Sequence, residues 1–266
     1  MNTVLGFLGH RLARFLSRES PRHDVLSTTS GAQLMALMQP GDVLLVDGNT
    51  RISTAIKYLT QSSWSHAAMF VGTAPFAGTN HADHCLVEAD LSAGVRSLAI
   101  GEYTQVPTRI CRAVGLSEAE RQALVAFVLA RIGERYDLRN VIDLARYLLP
   151  TPPVPVRLRR KMIALGSGEP TRAICSTLIA QAYQAIDYPI LPIIEERARP
   201  TAICPACTEE VLHIRNYSLF TPRDFDVSPY FEIIKPRLVE GFDFRHLVWD
   251  HADTPEPAPT AAASPG

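Results

Sequence analysis

Two hydrophobic periods alternate along this chain. Ile52, Ala55, Ile56 and Leu59 fall three and four residues apart, the spacing of one helix face, and predict a helix over 52–59. Ala67-Ala-Met-Phe-Val71 follows as an unbroken apolar run and predicts a buried strand over 66–71 that opens on His66. The same reading expects helices over 31–38, 117–132, 140–148 and 175–186. The first is ended by Pro40-Gly41, the second is capped by Ser117 with Glu120 and stopped by Gly133, and the last turns Leu178, Ile179, Ala182 and Ile186 toward a core. Short strands are expected over 42–46, 85–89, about Val95 and over 108–114. Asp47-Gly-Asn reads as a turn, 73–83 as a polar loop, Pro222-Arg-Asp-Phe as a turn and Ser228-Pro-Tyr-Phe-Glu-Ile-Ile as a further strand.

This mixture of short strands and helices predicts one α+β domain over about 30–250, with a loop inserted at about 150–170 that is rich in proline and basic residues. Residues 251–266 form a Pro/Ala-rich tail with little to bury, and are expected to be disordered. Residues 1–29 read as a helix and linker, with Leu5, Leu8, Leu12, Phe15 and Leu16 on one face and Arg11, Arg14 and Arg18 mostly away from it. Such a helix either docks on its own domain or lies on an anionic bilayer. The run has no uninterrupted apolar core of signal-peptide length, so the expected place is the cytoplasm, with peripheral contact at the inner membrane through residues 1–18.

Charge narrows the partners only slightly. With 26 basic and 27 acidic residues there is no general attraction for nucleic acid, and none is expected as a partner. Five cysteines, an odd count in a chain of 266 residues, do not make a disulfide framework and fit a reducing compartment.

Two of the predicted elements carry chemistry at their ends. Cys175 falls in the first turn of its helix, where unpaired backbone N–H groups lower a thiol's pKa from about 8.5 and can also bind a developing oxyanion. A nucleophilic thiol needs a base, and His66 is the histidine that opens a strongly apolar strand. Glu88 lies within the apolar strand 85–89, where an unpaired carboxylate would be expensive, and a neighbouring strand would bring it to His66. Taken alone, a cysteine at a helix start and a histidine in a strand serve packing as readily as chemistry. Trp64 beside His66 either lines a substrate groove or packs. Cys204-Pro-Ala-Cys207 has the spacing of a redox motif and of half a zinc site, and also suits plain packing; His81, Asp83 and His84 read as a solvated loop. No metal and no cofactor is expected.

Pro40-Gly-Asp-Val-Leu-Leu, the helix 52–59, Ser65-His66 with Ala-Ala-Met-Phe-Val-Gly, Leu86-Val-Glu-Ala, Tyr136-Asp137 and Cys175-Ser-Thr-Leu-Ile, in that order, resemble the circularly permuted papain-like amidases, the YiiX/YebB-like group of the NlpC-type superfamily. The resemblance spans about 38–187. It implies a permuted papain-like fold with an antiparallel sheet packed on the nucleophile-bearing helix, and histidine ahead of cysteine in the chain. It further implies Cys175 as nucleophile, His66 as base, Glu88 as the orienting third residue, and Tyr136 and Asp137 near the cleft; by their neighbourhood to His66 and Cys175, Trp64, Ser65 and Ser176 are expected around the substrate as well. The expected reaction is acyl transfer from an amide or ester through a thioester on Cys175. The expected substrate is a lipid, a peptide or another small acyl compound. Cell-wall peptide cleavage, transfer to another acceptor, and a binding protein without catalysis are the alternatives.

Overall fold

The computed structural model describes residues 29–90, 93–134, 174–199, 203–204, 207–236 and 243–246, and the side chains of residues 55 and 59 are not described. The helices expected at the amino terminus and over 140–148, the inserted loop, the Pro/Ala tail, Tyr136 and Asp137 lie outside the described residues. The chain divides into two units, Met1–Pro236 and Arg237–Gly266. The second is described at 243–246, where Phe244–His246 form a 3-10 turn and the Arg245 guanidinium stands over the Phe244 ring at 4.6 Å.

In the first unit, helix α1 (Gly31–Leu37) starts from a capping box in which Ser30 and Gln33 satisfy each other's backbone N–H groups. Strand β1 (Val43–Val46) follows, then α2 (Arg51–Thr60), capped by the Thr50 hydroxyl, which accepts from the Ser53 N–H. Strands β2 (His66–Phe70), β3 (His84–Asp90), β4 (Gly94–Ala99) and β5 (Thr108–Ala113) precede α3 (Glu118–Leu129). After it come α4 (Ile174–Gln184), the hairpin β6 (Ile193–Ala198) and β7 (Thr208–His213), α5 (Pro222–Val227) and β8 (Phe231–Ile234). β1 to β5 and β8 form an antiparallel sheet in the order β4-β3-β2-β1-β5-β8, and β6–β7 form a separate two-stranded ribbon.

Both faces of the sheet are covered, which explains why its central strands read as continuous apolar runs rather than alternating ones. Val43, Leu45, Ala67, Met69 and Val87 pack with Leu178, Ile179 and Ala182 of α4 and with Leu124 and Val128 of α3. Leu44, Val46, Ala68, Phe70 and Leu86 pack with Leu34 of α1 on the other side. Burying one such Leu or Ile contributes roughly 1.5–3 kcal/mol, so α4 is held to the sheet chiefly by its apolar face.

Polar anchors then set where α4 ends. The Tyr183 hydroxyl donates to the Gly41 carbonyl at 2.7 Å, and the Ser176 hydroxyl donates to the Phe220 carbonyl at 2.7 Å. Gly41 itself has φ +94, a left-handed conformation that a side chain would strain. The buried Asp42 carboxylate steadies that corner, accepting from the Gln39 N–H and from Arg112 on β5. Asp42, expected as the first residue of a strand, acts as the tie beneath it, and β1 starts at Val43.

Two further expectations are corrected. Pro222-Arg-Asp-Phe is not a turn; it begins α5, with Pro222 at the first helical position and Thr221 and Asp224 as a capping box. The ribbon β6–β7 is not foreseen at all: its strands are largely exposed and offer no apolar period to read. Among the described residues no helix is long and apolar enough to cross a membrane.

Candidate active site

His66 is the first residue of β2 and Glu88 lies near the end of β3. Glu88 is the register partner of Ala68. Alternation therefore puts Glu88 on the face that carries Ala68 and His66, as a diagonal neighbour of the histidine. The two side chains meet: His66 Nε2 lies 2.6 Å from Glu88 Oε2. Cys175, in the first turn of α4, lies close enough for its charge to act on the imidazole. With Nε2 engaged by the carboxylate, Nδ1 is the nitrogen left for the sulfur. The paired β2–β3 register ends at Ala68 and Glu88, so the imidazole stands at the margin of the sheet, where the end of a helix can reach it.

Glu88 is 1% exposed, yet every direction around its carboxylate is answered. The Tyr103 hydroxyl, from the 3-10 turn Ile100–Tyr103, donates to Oε2, the oxygen that also faces His66. Arg96, directly opposite Glu88 across β3–β4, donates to Oε1 from Nε at 2.8 Å and reaches it with Nη2 at 2.7 Å. Burial pushes the Glu88 carboxyl upward, but the charge of His66 and the hydrogen bonds from His66 and Tyr103 outweigh it and bring the group down from 4.5 to about 2. Burial likewise opposes charge on His66, and the negative partners Cys175 and Glu88 overcome it, so the imidazole is held well above its ordinary value. The arrangement favours an imidazolium between a thiol sulfur and a fixed carboxylate, the requirement for an activated cysteine.

Other expected site residues are directed inward. The Ser65 hydroxyl is buried, accepting from the Gly48 N–H at 2.9 Å and donating to the Val46 carbonyl, so it braces the turn after β1. The Trp64 indole N–H donates to Asp226 Oδ2 at 3.0 Å and its ring lies under the Arg109 guanidinium, which in turn pairs with Asp226 at 2.5 Å. That trio fastens α5 beside the histidine strand. The Ser176 side chain, fully buried, is spent on the Phe220 carbonyl. Trp64, Ser65 and Ser176 thus each make structural contacts within the fold.

Sequence reasoning missed Arg96 and Tyr103. Their signal was weak: Arg96 becomes Glu88's partner only through a hairpin register, and Tyr103 only through a short turn between strands. Cys85 and Cys111 are buried, and burial raises both thiols. Cys204 and Cys207 are joined as a disulfide within the loop of the β6–β7 hairpin. His84 is occupied by the Ser97 hydroxyl at 2.8 Å and stacks on His81. Among the described residues no group of three or more His, Cys, Asp and Glu side chains is placed to hold a metal ion.

A helix-borne thiol meeting a strand-borne imidazole and carboxylate, with histidine ahead of cysteine in the chain, defines the class: a papain-like site in permuted order. Residues 37–147 match the family described as permuted papain-like amidase enzyme, YaeF/YiiX, C92 family, and this match supports a cysteine-type hydrolase in general terms. The matched stretch contains His66, Glu88, Arg96 and Tyr103 and ends ahead of Cys175. The chain is also similar to a crystal structure described as metalloprotein yiiX from Escherichia coli O157:H7, with 16% identity and a TM-score of 0.44 over 75% of this chain and 97% of that one. None of the curated proteins matches this chain.

Proposed function

We propose that the protein cleaves an amide or ester bond through a thioester on Cys175, and that its substrate is a lipid or lipid-linked acyl compound. The observation that carries the reading is the bond from His66 Nε2 to Glu88, which leaves the other ring nitrogen for the thiol. In the first half-reaction the sulfur attacks the acyl carbonyl carbon, a C–S bond forms, and the carbonyl electron pair moves to oxygen. In this proposal backbone N–H groups in the first turn of α4 serve as donors for that oxyanion. The oxyanion then collapses, the C–N or C–O bond breaks, and the leaving group takes the proton carried by His66. In the second half-reaction water gives a proton to His66 as it attacks the thioester, and the acid leaves with Cys175 restored. Glu88 keeps the ring oriented and stabilises its charged form throughout.

The lipid reading rests on the amphipathic pattern of residues 1–18, which suits attachment of a cytoplasmic protein to a membrane surface. The family description, an amidase, supports peptide amides as the second reading. Brief incubation with a long-chain acyl ester and with an N-acyl peptide, followed by intact-mass and peptide mass spectrometry, separates them. The proposal expects the long-chain acyl group on Cys175 and none in Cys175→Ala. Acylation by the peptide amide alone would replace the lipid reading, and acylation by neither would leave a binding protein.

A further inference from the structure

We propose that Tyr103 and Arg96 are positioning residues of this site, which act by clamping the two oxygens of Glu88 so that one fixed lone pair faces His66. The inference rests on the catalytic reading of Cys175 and His66 and deepens it. The carboxylate has nowhere to turn: Oε2 takes the Tyr103 hydroxyl and His66 Nε2, while Oε1 takes Nε and Nη2 of Arg96. A buried carboxylate held from a single direction could rotate about its last torsion and take the imidazole with it. Held from three, it fixes the ring plane and so the direction in which Nδ1 meets the thiol.

The clamp also balances charge. Glu88 and Arg96 cancel each other, which leaves Cys175 and His66 free to form a second neutral pair in the same pocket. Among the described residues, the charged and titratable groups around the imidazole are Cys175 from α4, Glu88 from β3, Arg96 from β4 and Tyr103 from the 3-10 turn, with Asp90 acting on Arg96 from the end of β3. Helix α1, which packs on that turn, brings no charged residue. Tyr103 is close enough to Cys175 to feel its charge, and its ring lies 6.0 Å from the His66 ring.

Removing either clamp should change the imidazole rather than merely loosen the fold. Tyr103→Phe keeps the ring volume and deletes one donor to Oε2; Arg96→Met deletes the countercharge. Each leaves Glu88 more strongly negative toward His66, so each should raise the pH at which the imidazole titrates. The shift should be on the order of one unit for Arg96→Met and smaller for Tyr103→Phe. Arg96→Lys restores charge without the two-nitrogen grip and should bring the titration back most of the way. The test is an NMR titration of the His66 ring nitrogens in the whole protein and these three variants, each checked for folding by circular dichroism. The upward shifts with rescue by lysine support the proposal. An unmoved titration in folded Tyr103→Phe and Arg96→Met, or in Tyr103→Phe alone where Arg96→Met does not fold, overturns it. Because ring nitrogens titrate whether or not substrate turns over, failure of the clamp and failure of the hydrolase reading give different results.

Discussion

A carboxyl group at 1% exposure would ordinarily hold its proton, because burial disfavours the charged form. At Glu88 three donors reverse that, and the group is brought from 4.5 down to about 2. A carboxyl lowered on folding contributes stability that is fully present above its unfolded value near 4.5 and is lost as pH falls through about 2. Thermal unfolding of wild type and Glu88→Gln should therefore show a gap at neutral pH that closes between those values; a gap of constant width would contradict the assignment. His66 has the opposite sign. Its imidazole is raised above 6.5, so it contributes most below that pH and loses its contribution as pH rises through the folded value. In Glu88→Gln the ring loses a negative partner, and its NMR titration should move downward.

At the scale of elements, the site depends on how α4 is pinned and on what stands apart from it. The β6–β7 ribbon pairs with no strand of the main sheet, and its strands are mostly exposed. Replacing Cys204 and Cys207 together by serine should thus leave the reaction of Cys175 unchanged and shift thermal unfolding little, as differential scanning fluorimetry would report. Helix α3, by contrast, buries Leu124 and Val128 against α4's layer and starts from the Ser117–Glu120 capping box. Ser117→Ala should cost about 1 kcal/mol in urea unfolding. The contrast also shows what the chain makes legible. β2 and β3 announce themselves as unbroken apolar runs, α3 and α4 by apolar residues at a helical period, and Cys175, His66 and Glu88 are conspicuous as polar groups set into those elements. The ribbon has no buried face and so no period. α5 is six residues long, too short for one, and only its cap and proline mark it. Arg96 and Tyr103 acquire meaning from register and turn geometry, which no single stretch of sequence encodes.

The whole molecule brings two distant parts of the chain to one point: a strand histidine near the beginning and a helix cysteine more than a hundred residues later, joined across a sheet margin and steadied by Glu88. Its other described thiols offer little competition, since Cys85 and Cys111 are buried and raised, and Cys204 and Cys207 are paired. The most direct test of this account is the rate at which a small alkylating reagent labels Cys175 as a function of pH, in wild type and in His66→Ala, with Cys204 and Cys207 replaced by serine. The account predicts rapid labelling at neutral pH that collapses without the imidazole. Slow labelling in wild type, indifferent to His66, would contradict it.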